Sequence, residues 1–322
     1  MDFMADAAQP LSSNEEETRM HVLMTGITGF IGSRLAMALA RDGHRISALV
    51  RETSRWDILP ECLQKQVSFY VIKDSSLSHL MEDAVKTNGT VDLVYHLASL
   101  YLPKHSYEDI PALISSNVML GTFLLEGMKE HGIRNLVNAG TSWQHYRSAP
   151  YSPVNLYAAT KQAFEDILQY YEEVAGIRAI TLQLFDTYGK GDKRKKIVAM
   201  LRELSEKGGT LAMSPGEQLM DMVHIDDVVR AFLTAGDLLR RGDPNVCGVY
   251  GVSAGKRYTL RELAAIFEQV TGKKLDIQWG GRSYREREVM VPWTDARSLP
   301  GWHAEIDVQE GIRSILWEGA ER

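Results

Sequence analysis

The chain has 322 residues, of which 44% are hydrophobic and 24% charged, a composition typical of a folded protein with a sizeable core. Its formal net charge of −6 argues against generic nucleic-acid binding, and its two scattered cysteines argue against a disulfide scaffold. We find neither a signal-peptide pattern nor an apolar run approaching ~18 residues, so we expect a cytoplasmic protein without a membrane partner.

Short apolar segments alternate with helical patterns through most of the chain. The predicted strands span 20–26, 44–51, 67–74, 91–99, 133–142, 177–185 and 249–254, and the predicted helices span 31–41, 111–131, 155–175, 196–207, 224–241 and 259–271. Near-continuous apolar strands that alternate with helices form a parallel sheet covered on both faces. The fold class is therefore predicted to be α/β, with a doubly wound parallel sheet of the Rossmann type.

The first predicted strand runs into a glycine-rich turn, TGITGFIG. Glycines at this place allow a tight turn, a close approach of pyrophosphate to the backbone, and close packing of the next helix. The first gap is one residue longer than in G-x-G-x-x-G, and a ligand-free turn would use the same glycines. At the first strand of an alternating sheet, the turn favours a dinucleotide. The predicted cofactor-binding residues here are Gly26, Thr28, Gly29, Phe30, Ile31 and Gly32.

The end of the second strand bears on which dinucleotide binds. Arg51 stands about 20 residues after the glycines, where a carboxylate would bind the ribose 2′-hydroxyl of NAD. A guanidinium suits a 2′-phosphate instead, so we predict NADPH or NADP, bound by Arg51, Ser54 and Arg55. A solvated Arg51 and the neighbouring Glu52 are the arguments for NAD. Asp74 is predicted to accept from the adenine amino group, or else to be a surface turn residue.

A tyrosine and a lysine share one face of a predicted helix. Asn155 can cap this helix, which puts Tyr157 in the first turn and Lys161 one turn later. A nearby cation and the helix N-terminus both favour phenolate, so we expect a pKa tuned for proton transfer near neutral pH. Thr141 and Ser142 end the fifth strand, at the sheet edge where α/β folds bind ligands. The pair alone is common on solvated helices, but this order of motifs predicts a catalytic site.

Beyond the sixth strand the alternation loosens, and a basic loop, GKGDKRKK, precedes mixed helices and turns. A discontinuous smaller α/β lobe fits this pattern better than a separate second domain. The polar, acidic start of the chain is expected to be a loose tail. The predicted divisions are a tail over 1–19, a dinucleotide-binding domain over 20–189 and 224–254, and a substrate-binding lobe over 190–223 and 255–322.

Taken together, the motifs resemble the extended short-chain dehydrogenase/reductase family of nucleotide-sugar epimerases, dehydratases and reductases. The resemblance covers about residues 20–260. Its segments are TGITGFIG (25–32), YHLAS (95–99), SNVMLGT (116–122), TSWQHY (141–146), YAATK (157–161), LFDTYGKGD (184–192) and MVHIDDVV (222–229).

The resemblance implies residue roles. Tyr157 would be the acid/base, Lys161 would hold the nicotinamide ribose, and Ser142, with Thr141, would hydrogen-bond the reacting oxygen. Further implied cofactor-binding residues are Leu97, Ala98, Ser99 and Asn117. Implied substrate-binding residues are Ser99, Ser142, Trp143, Tyr188, Lys195 and Arg285. No residue is predicted to bind a metal.

Departures from the family pattern narrow the reaction. Trp143 and Gln144 stand where 4,6-dehydratases carry Asp-Glu, which argues against dehydration. Met220 replaces an arginine that grips the diphosphate in many members. The basic loop, or Arg285 with Arg287, is predicted to serve instead, unless the loop is a solvated charge run.

The segment LFDTYGKGDKRKK is similar to the reductases that make 3,6-dideoxyhexoses, the CDP-paratose and CDP-abequose synthases. We therefore predict NADPH-dependent reduction of the 4-keto group of a nucleotide-diphosphate sugar, with a CDP-linked substrate. The alternatives are an epimerase with tightly bound NAD, a reductase of a non-sugar carbonyl, and a non-catalytic NADP(H) sensor. The resemblance also implies a homodimer formed through the helices predicted over 111–131 and 155–175.

Overall fold

The computed structural model describes residues 19–73 and 77–316, and within them seven parallel strands form the central sheet. Counted over all sheets, the described residues form thirteen strands. They are β1 His21–Thr25, β2 Arg45–Arg51, β3 Val67–Ile72, β4 Leu93–His96, β5 Asn135–Thr141, β6 Arg178–Leu184, β7 Asp186–Tyr188, β8 Leu211–Met213, β9 Leu219–Met220, β10 Met222–His224, β11 Gly248–Val252, β12 Tyr258–Thr259 and β13 Ile277–Trp279. The order in the large sheet is β3-β2-β1-β4-β5-β6-β11, all parallel. The remaining strands pair two by two as β7 with β10, β8 with β13 and β9 with β12.

Helices join successive strands of the large sheet, as a parallel arrangement requires. The α-helices of the described residues are α1 Phe30–Arg41, α2 Glu61–Gln64, α3 Leu77–Asn88, α4 Ile110–Ile114, α5 Leu120–Glu130, α6 Leu156–Ala175, α7 Ile197–Lys207, α8 Ile225–Arg240, α9 Leu260–Thr271 and α10 Val308–Leu316. The predicted α/β fold class with a doubly wound parallel sheet is thus confirmed.

Separate hydrophobic clusters cover the two faces of the large sheet. On one face, Leu35 of α1 packs in a cluster with Phe232 of α8. On the other face, Leu124 of α5 and Phe164 of α6 belong to a second cluster. The helix after β1 and the helix after β4 therefore lie on opposite faces. This is the switch point at which open α/β sheets form a ligand crevice.

A third cluster lies away from the large sheet. It joins Tyr188 of β7, Leu201 of α7, Phe267 of α9 and Ile312 of α10, all of them buried. The helices that carry these residues alternate with the short strand pairs. The cluster forms a separate small core beside the carboxyl edge of the sheet.

The predicted helix over 111–131 is interrupted. Helices α4 and α5 are joined by a π-helical turn over Ser115–Met119, which contains the buried Asn117. Among the described residues, the helical stretch Tyr107–Glu130 alone has the length and apolar composition of a membrane span, with a mean hydropathy of 1.3. Its buried residues Leu124 and Met128 pack into the cluster shared with α3 and α6.

Two predictions fall outside the described residues. The loose tail over 1–19 does so except for Arg19, and Asp74 does so entirely.

Candidate active site

The described residues form two adjoining cavities at the carboxyl edge of the sheet. The glycine-loop cavity, about 740 Å³, lies along the ends of β1, β4 and β5. The lobe cavity, about 660 Å³, lies between this edge and the small core. Side chains from several loops form a common wall, and residues lining both cavities include Tyr101, Trp143, Asp186, Lys193, Arg194 and Lys196.

The glycine turn is held tightly against the end of β4. Gly26 has a φ of +75°, and a Cβ there would lie 2.6 Å from the backbone nitrogen of Ala98. The Ala98 N–H donates to Thr25 Oγ1 at 3.2 Å, which fixes the two strand ends together. A side chain at Gly32 would collide with the Gly26 carbonyl. The sequence therefore needs glycine here for backbone packing as well as for access.

The start of α1 is open to an anion. Its N-cap, Gly29, supplies no side-chain hydrogen bond to the described first turn, which also carries no acidic residue. Free N–H groups and the positive helix end favour a phosphate. All six glycine-turn residues predicted from the sequence line the glycine-loop cavity.

Lys161 provides the test of whether a dinucleotide fits. Its ammonium nitrogen is buried, and among the described residues it has no hydrogen-bond partner. Burial lowers the pKa of Lys161 to about 8, and the nearby Glu165 charge opposes this shift. An unpaired buried cation is costly, and ribose hydroxyls in the cavity would supply its missing acceptors. The residues present therefore fit a bound nicotinamide dinucleotide.

Tyr157 lies beside Lys161 in the same cavity, 9% exposed. The hydroxyls of Ser99 and Thr141 hydrogen-bond its phenol, and the Tyr101 ring meets its ring edge-on at 5.1 Å. Burial nevertheless raises the pKa of Tyr157 to about 12. The expected shift toward neutral pH is therefore wrong for this structure, because desolvation outweighs the hydrogen bonds. Tyr157 is protonated at neutral pH, as a proton donor must be.

The two strand-end hydroxyls face different cavities. Thr141 lines the glycine-loop cavity at Tyr157, whereas Ser142 lines the lobe cavity. Thr141 caps the turn that follows β5, with its Oγ1 accepting from Trp143 N–H at 3.3 Å. Its own N–H donates to Gln144 Oε1 at 3.1 Å, which completes the capping box. The hydroxyl that meets the phenol is thus Thr141, which the sequence placed second to Ser142.

Asn117 supports the site from behind. Its Oδ1 accepts from Ser99 Oγ at 3.2 Å and from Leu100 N–H at 2.7 Å, and its Nδ2 donates to Thr160 Oγ1 at 3.0 Å. The side chain joins the loop after β4 to α6 and is only 1% exposed. All its side-chain polar atoms have partners within the protein, and Asn117 is not among the residues that line either cavity. This geometry fits a residue that supports the active site, and cofactor binding by Asn117 stays a prediction.

The residues predicted to bind the 2′-phosphate of NADPH lie at the exposed tip of β2. Arg55 forms an ion pair with Asp57 at 2.8 Å. Ser54 Oγ accepts from Arg51 N–H at 3.1 Å, which closes a tight turn. The structure thus occupies Arg55 and Ser54 within the protein and leaves the Arg51 side chain exposed beyond the described cavity lining. The cations that line this cavity include Arg34 of α1, which the sequence analysis missed.

The basic loop at 189–196 is folded over the site. The Arg194 guanidinium lies 4.8 Å from the centroid of Phe30 in the glycine turn and pairs with Asp192 at 2.8 Å. The Lys190 carbonyl accepts from Arg34, which fastens the loop to α1. Arg194 and Lys196 thus have partners within the protein, whereas the alternative of a solvated charge run fits the exposed Lys190, Lys193 and Lys195.

An ion pair sits where the two cavities meet. Lys196 Nζ lies 3.6 Å from Asp186, and burial lowers the pKa of Lys196. The same ammonium lies 5.8 Å from the Tyr101 ring centroid. Regular spacing could not identify these loop residues. Their one sequence signal was position, because they follow directly on a strand that ends at the site.

The lobe cavity is lined by cations and aromatic rings. Arg285 lies 5.9 Å from the Trp143 ring, and Lys195 is also on the wall. Arg287 donates to Ser152 Oγ at 2.8 Å, and its Nε has no partner among the described residues. Tyr188 lines the same cavity, but its hydroxyl is buried against Gly311, where any added side chain would collide with it. Tyr188 is thus a packing residue more than a polar ligand.

Metal-binding geometry was also sought in the described parts of the chain. Within residues 19–73 and 77–316, no group of three His, Cys, Asp or Glu side chains is arranged to hold a metal ion.

Comparison with known proteins gives matches over most of the chain. The family model described as "NAD dependent epimerase/dehydratase family" matches residues 22–249. A CDP-abequose synthase from Salmonella muenchen is 27% identical over 300 residues, covering 92% of this chain and 96% of the relative. A UDP-glucuronate 4-epimerase from Thermodesulfobacterium geofontis is 26% identical over 318 residues, covering 92% and 95%.

Among solved structures, the UDP-glucose 4-epimerase of Thermus thermophilus in complex with NAD superimposes with a TM-score of 0.73 at 28% identity. The match covers 92% of this chain and 97% of that one. A CDP-abequose synthase and UDP-sugar 4-epimerases are thus similar to this chain to nearly the same degree.

Proposed function

Because the chain belongs to the NAD dependent epimerase/dehydratase family and is an NAD(P)-dependent enzyme of the oxidoreductase type, we propose that it reduces the 4-keto group of a nucleotide-diphosphate sugar with NADPH. The observation that carries the proposal is the position of Tyr157 and the unpartnered Lys161, beside the wall between the two cavities. The similarity to CDP-abequose synthase supports a CDP-linked substrate.

In this reaction the bound nicotinamide supplies the hydride. Tyr157 donates its proton to the oxygen of the carbonyl as negative charge develops there. Ser99 and Thr141, which hydrogen-bond the phenol, stabilise the phenolate that remains. The Lys161 ammonium holds the ribose and opposes the build-up of negative charge on Tyr157.

The charges of the lobe cavity indicate how the substrate would bind there. Arg285, Arg287 and Lys195 offer cationic groups for a diphosphate. Ser142 and Trp143 line the same cavity, and Trp143 belongs to the common wall, so both would contact the sugar. Binding energy from the remote nucleotide would then orient the carbonyl at Tyr157.

For the cofactor, we propose NADPH over NADH. The tip of β2 carries the exposed Arg51 in place of the carboxylate that binds a 2′-hydroxyl, and Arg34 is a cation on the wall of the glycine-loop cavity. Arg55 is less suited to this role than the sequence suggested, because Asp57 already pairs with it.

For assembly, we propose a cytoplasmic homodimer. Exposed apolar side chains lie on the α4–α5 stretch, at Ile114 and Met119, and on α6, at Tyr170 and Val174. Helices α5 and α6 pack side by side, so these residues can contribute to one surface.

The direct test is to mix the purified protein with a CDP-4-keto-6-deoxyhexose and NADPH and follow the loss of absorbance at 340 nm. We expect NADPH oxidation together with formation of a 4-hydroxyl product, and no reaction from a Tyr157→Phe variant. The absence of NADPH oxidation with every nucleotide 4-ketosugar tested would contradict the proposal.

A second candidate is a nucleotide-sugar 4-epimerase, because the UDP-sugar epimerases match this chain almost as well. It would interconvert two 4-epimeric sugars without added cofactor and would purify with NAD bound. The same preparation distinguishes the two candidates, since the cofactor released by denaturation can be identified by mass spectrometry.

A further inference from the structure

A group of polar side chains lies behind the Tyr157–Lys161 pair, and the proposed chemistry leaves it unused. Its members are Gln144 and His145, from the turn after β5, Glu165 on α6 and Gln183 on β6. Glu165 follows Lys161 by one helical turn, so both side chains lie on the same face of α6. A carboxyl group at this position requires hydrogen-bond partners.

The Glu165 carboxylate is the acceptor at the centre of the group. Gln183 Nε2 lies 3.3 and 3.5 Å from its two oxygens, and the Gln144 side chain also hydrogen-bonds it. The orientation of Gln144 is fixed, because its Oε1 accepts from the Thr141 N–H and its Nε2 donates to Gln162 at 2.9 Å. Glu165 is therefore linked through one side chain to the residue that meets the Tyr157 phenol.

Gly140 makes room for this arrangement. A Cβ at Gly140 would lie 2.8 Å from Glu165 Oε1 and 2.9 Å from Gln183 Cγ. The position has an ordinary strand conformation, so its glycine is explained by the space that these side chains need.

His145 holds the Gln183 amide from the side opposite Glu165. Its Nδ1 lies 3.0 Å from the Ala149 carbonyl oxygen and its Nε2 lies 2.8 Å from Gln183 Oε1. With its oxygen at His145, the Gln183 amide turns its Nε2 toward the Glu165 oxygens, to which it donates.

An indole ring packs on His145. Trp293 stacks on the imidazole with ring centroids 3.9 Å apart and an interplanar angle of 15°. The stacked pair holds the Gln183 amide in place, so that the Gln183 Nε2 stays directed at Glu165.

We infer that Glu165, which accepts from the Gln183 and Gln144 amides one helical turn after Lys161, is a positioning residue that keeps Lys161 protonated and holds Thr141 at Tyr157. The inference deepens the proposed function and rests on it. Burial lowers the pKa of Lys161 to about 8, and Glu165 is the charge that opposes this shift. Without the carboxylate, the ammonium would be lost at a lower pH.

Other charged groups around the network act as follows. Lys161 is faced from β4 by His96, whose pKa burial and Lys161 together lower to about 3, so His96 is neutral. Asp166 on α6 raises the pKa of Glu165, in the same direction as burial. The groups that meet Glu165 from β6 and from the turn after β5 are the neutral amides Gln183 and Gln144. They favour its charged form.

The test uses the isosteric variant Glu165→Gln in the full chain, with Glu173→Gln, an exposed change on the same helix, as the matched control. NADPH affinity is measured by fluorescence from pH 6 to pH 10. We expect the affinity of the unmodified protein to fall as pH rises through about 8. In Glu165→Gln this fall should begin about one pH unit lower, which is a loss of about fivefold at pH 8. At pH 6 the two affinities should agree within about twofold.

A second readout follows the proton itself. In protein with ¹³C-labelled lysine, the Lys161 side-chain resonance should show loss of the ammonium at a pH about one unit lower in Glu165→Gln. If Glu165→Gln fails to fold, Gln183→Met removes a donor to the carboxylate and should shift both readouts in the same direction. An unshifted affinity limb, or an unshifted Lys161 resonance, would overturn the inference.

Neither readout needs the sugar, so the two failures are distinguishable. A protein that shows the shifted limb but reduces no nucleotide ketosugar refutes the proposed function alone. A protein that reduces the ketosugar but shows no shift refutes the role of Glu165 alone.

Discussion

At the scale of single residues, burial shifts the pKa values of Tyr157 and Lys161 in opposite directions, which suits the two side chains to their different proposed roles. Burial raises the pKa of the phenol to about 12 and lowers that of the ammonium to about 8. Both groups are therefore protonated at neutral pH. One can give its proton away, and the other stays charged to stabilise what is left.

Replacement of Tyr157 by phenylalanine should remove the proton donor and leave the cavity shape. We expect the turnover number to fall by at least about a hundredfold, while the Kd for NADPH changes less than about threefold. Stopped-flow reduction and fluorescence titration measure the two quantities. Tyr170→Phe, on the exposed face of the same helix, is the control and should behave as the unmodified protein. Near-normal turnover in Tyr157→Phe would remove this residue from the chemistry.

The separation of Thr141 from Ser142 gives a second residue-scale prediction. Thr141→Val removes the hydroxyl at the phenol and should lower kcat by about tenfold or more. Ser142→Ala removes a hydroxyl from the lobe cavity and should mainly raise the KM for the nucleotide sugar. Steady-state kinetics on the two variants measure both effects, and a reversed pattern would return the primary role to Ser142.

Cofactor preference depends on the tip of β2. Arg51→Glu should weaken NADPH binding by about tenfold or more and leave NADH binding nearly unchanged, because only NADPH carries the 2′-phosphate. Arg55→Ala is the matched control, since Asp57 already pairs with that guanidinium. Calorimetric titration with both cofactors decides the matter. Equal losses for NADPH and NADH in Arg51→Glu would mean that Arg51 does not read the phosphate.

The sequence could identify residues of regular elements better than residues of loops. Gly26, Tyr157 and Lys161 line the cavity because a strand end and a helix face fix where they point. Asn117 and Tyr188 were assigned to ligands because their segments lie near the site. A motif gives proximity but not side-chain direction, and both side chains turn into the protein.

At the scale of elements, the π turn between α4 and α5 shows how one side chain sets the geometry of a helix. Apolar periodicity predicts one helix over 111–131, and the extra residue in the turn lies beyond the resolution of that pattern. The Asn117 amide there reaches Leu100 and Thr160, on two other elements. The helix is thus adapted to hold the loop that carries Ser99.

Asn117→Ala should remove the hydrogen bonds to the Leu100 backbone and to the buried Thr160 hydroxyl, which keeps its bond to the Tyr157 carbonyl oxygen. We expect the free energy of unfolding to fall by about 2 kcal/mol, measured by urea denaturation. Asn135→Ala, which removes a partly exposed hydrogen bond at the start of β5, serves as the comparison and should cost less. Equal losses would mean that the Asn117 bonds contribute no more than those at the surface.

Loop 189–196 is the element that the sequence described least well. Its charges suggested either a phosphate site or a solvated run, because composition does not tell which partners a loop meets. In the structure its cations divide between Phe30, Asp192, Asp186 and the lobe cavity. Only tertiary contacts could have made that assignment.

At the scale of the whole molecule, the fold was the most predictable feature. Alternating strands and helices specify a parallel sheet, and the observed order places the switch point between β1 and β4. The predicted strands and helices agree closely with the observed ones because their apolar patterns are long and regular. The small core, built from short strand pairs, left no such pattern.

Assembly gives the whole-molecule prediction. The double variant Met119→Glu/Val174→Glu places charges on the exposed faces of the helices proposed to pair, and we expect a monomer in light scattering where the unmodified protein is a dimer. Val249→Glu, an exposed apolar position on the edge strand β11, is the control and should remain a dimer. A monomeric unmodified protein, or a double variant that stays dimeric, would exclude this interface.

A residue that lines both cavities can contact two ligands, whereas a residue that lines one cavity can contact only one. Lys195 and Arg285 line the lobe cavity alone, so substitutions there can adapt the molecule to a different sugar or base while the hydride donor still binds. Asp186 and Lys196 form part of both walls, and a change at either must suit the dinucleotide and the sugar together. Descendants of this chain should therefore gain new substrates through the outer lobe first, with the common wall changing last.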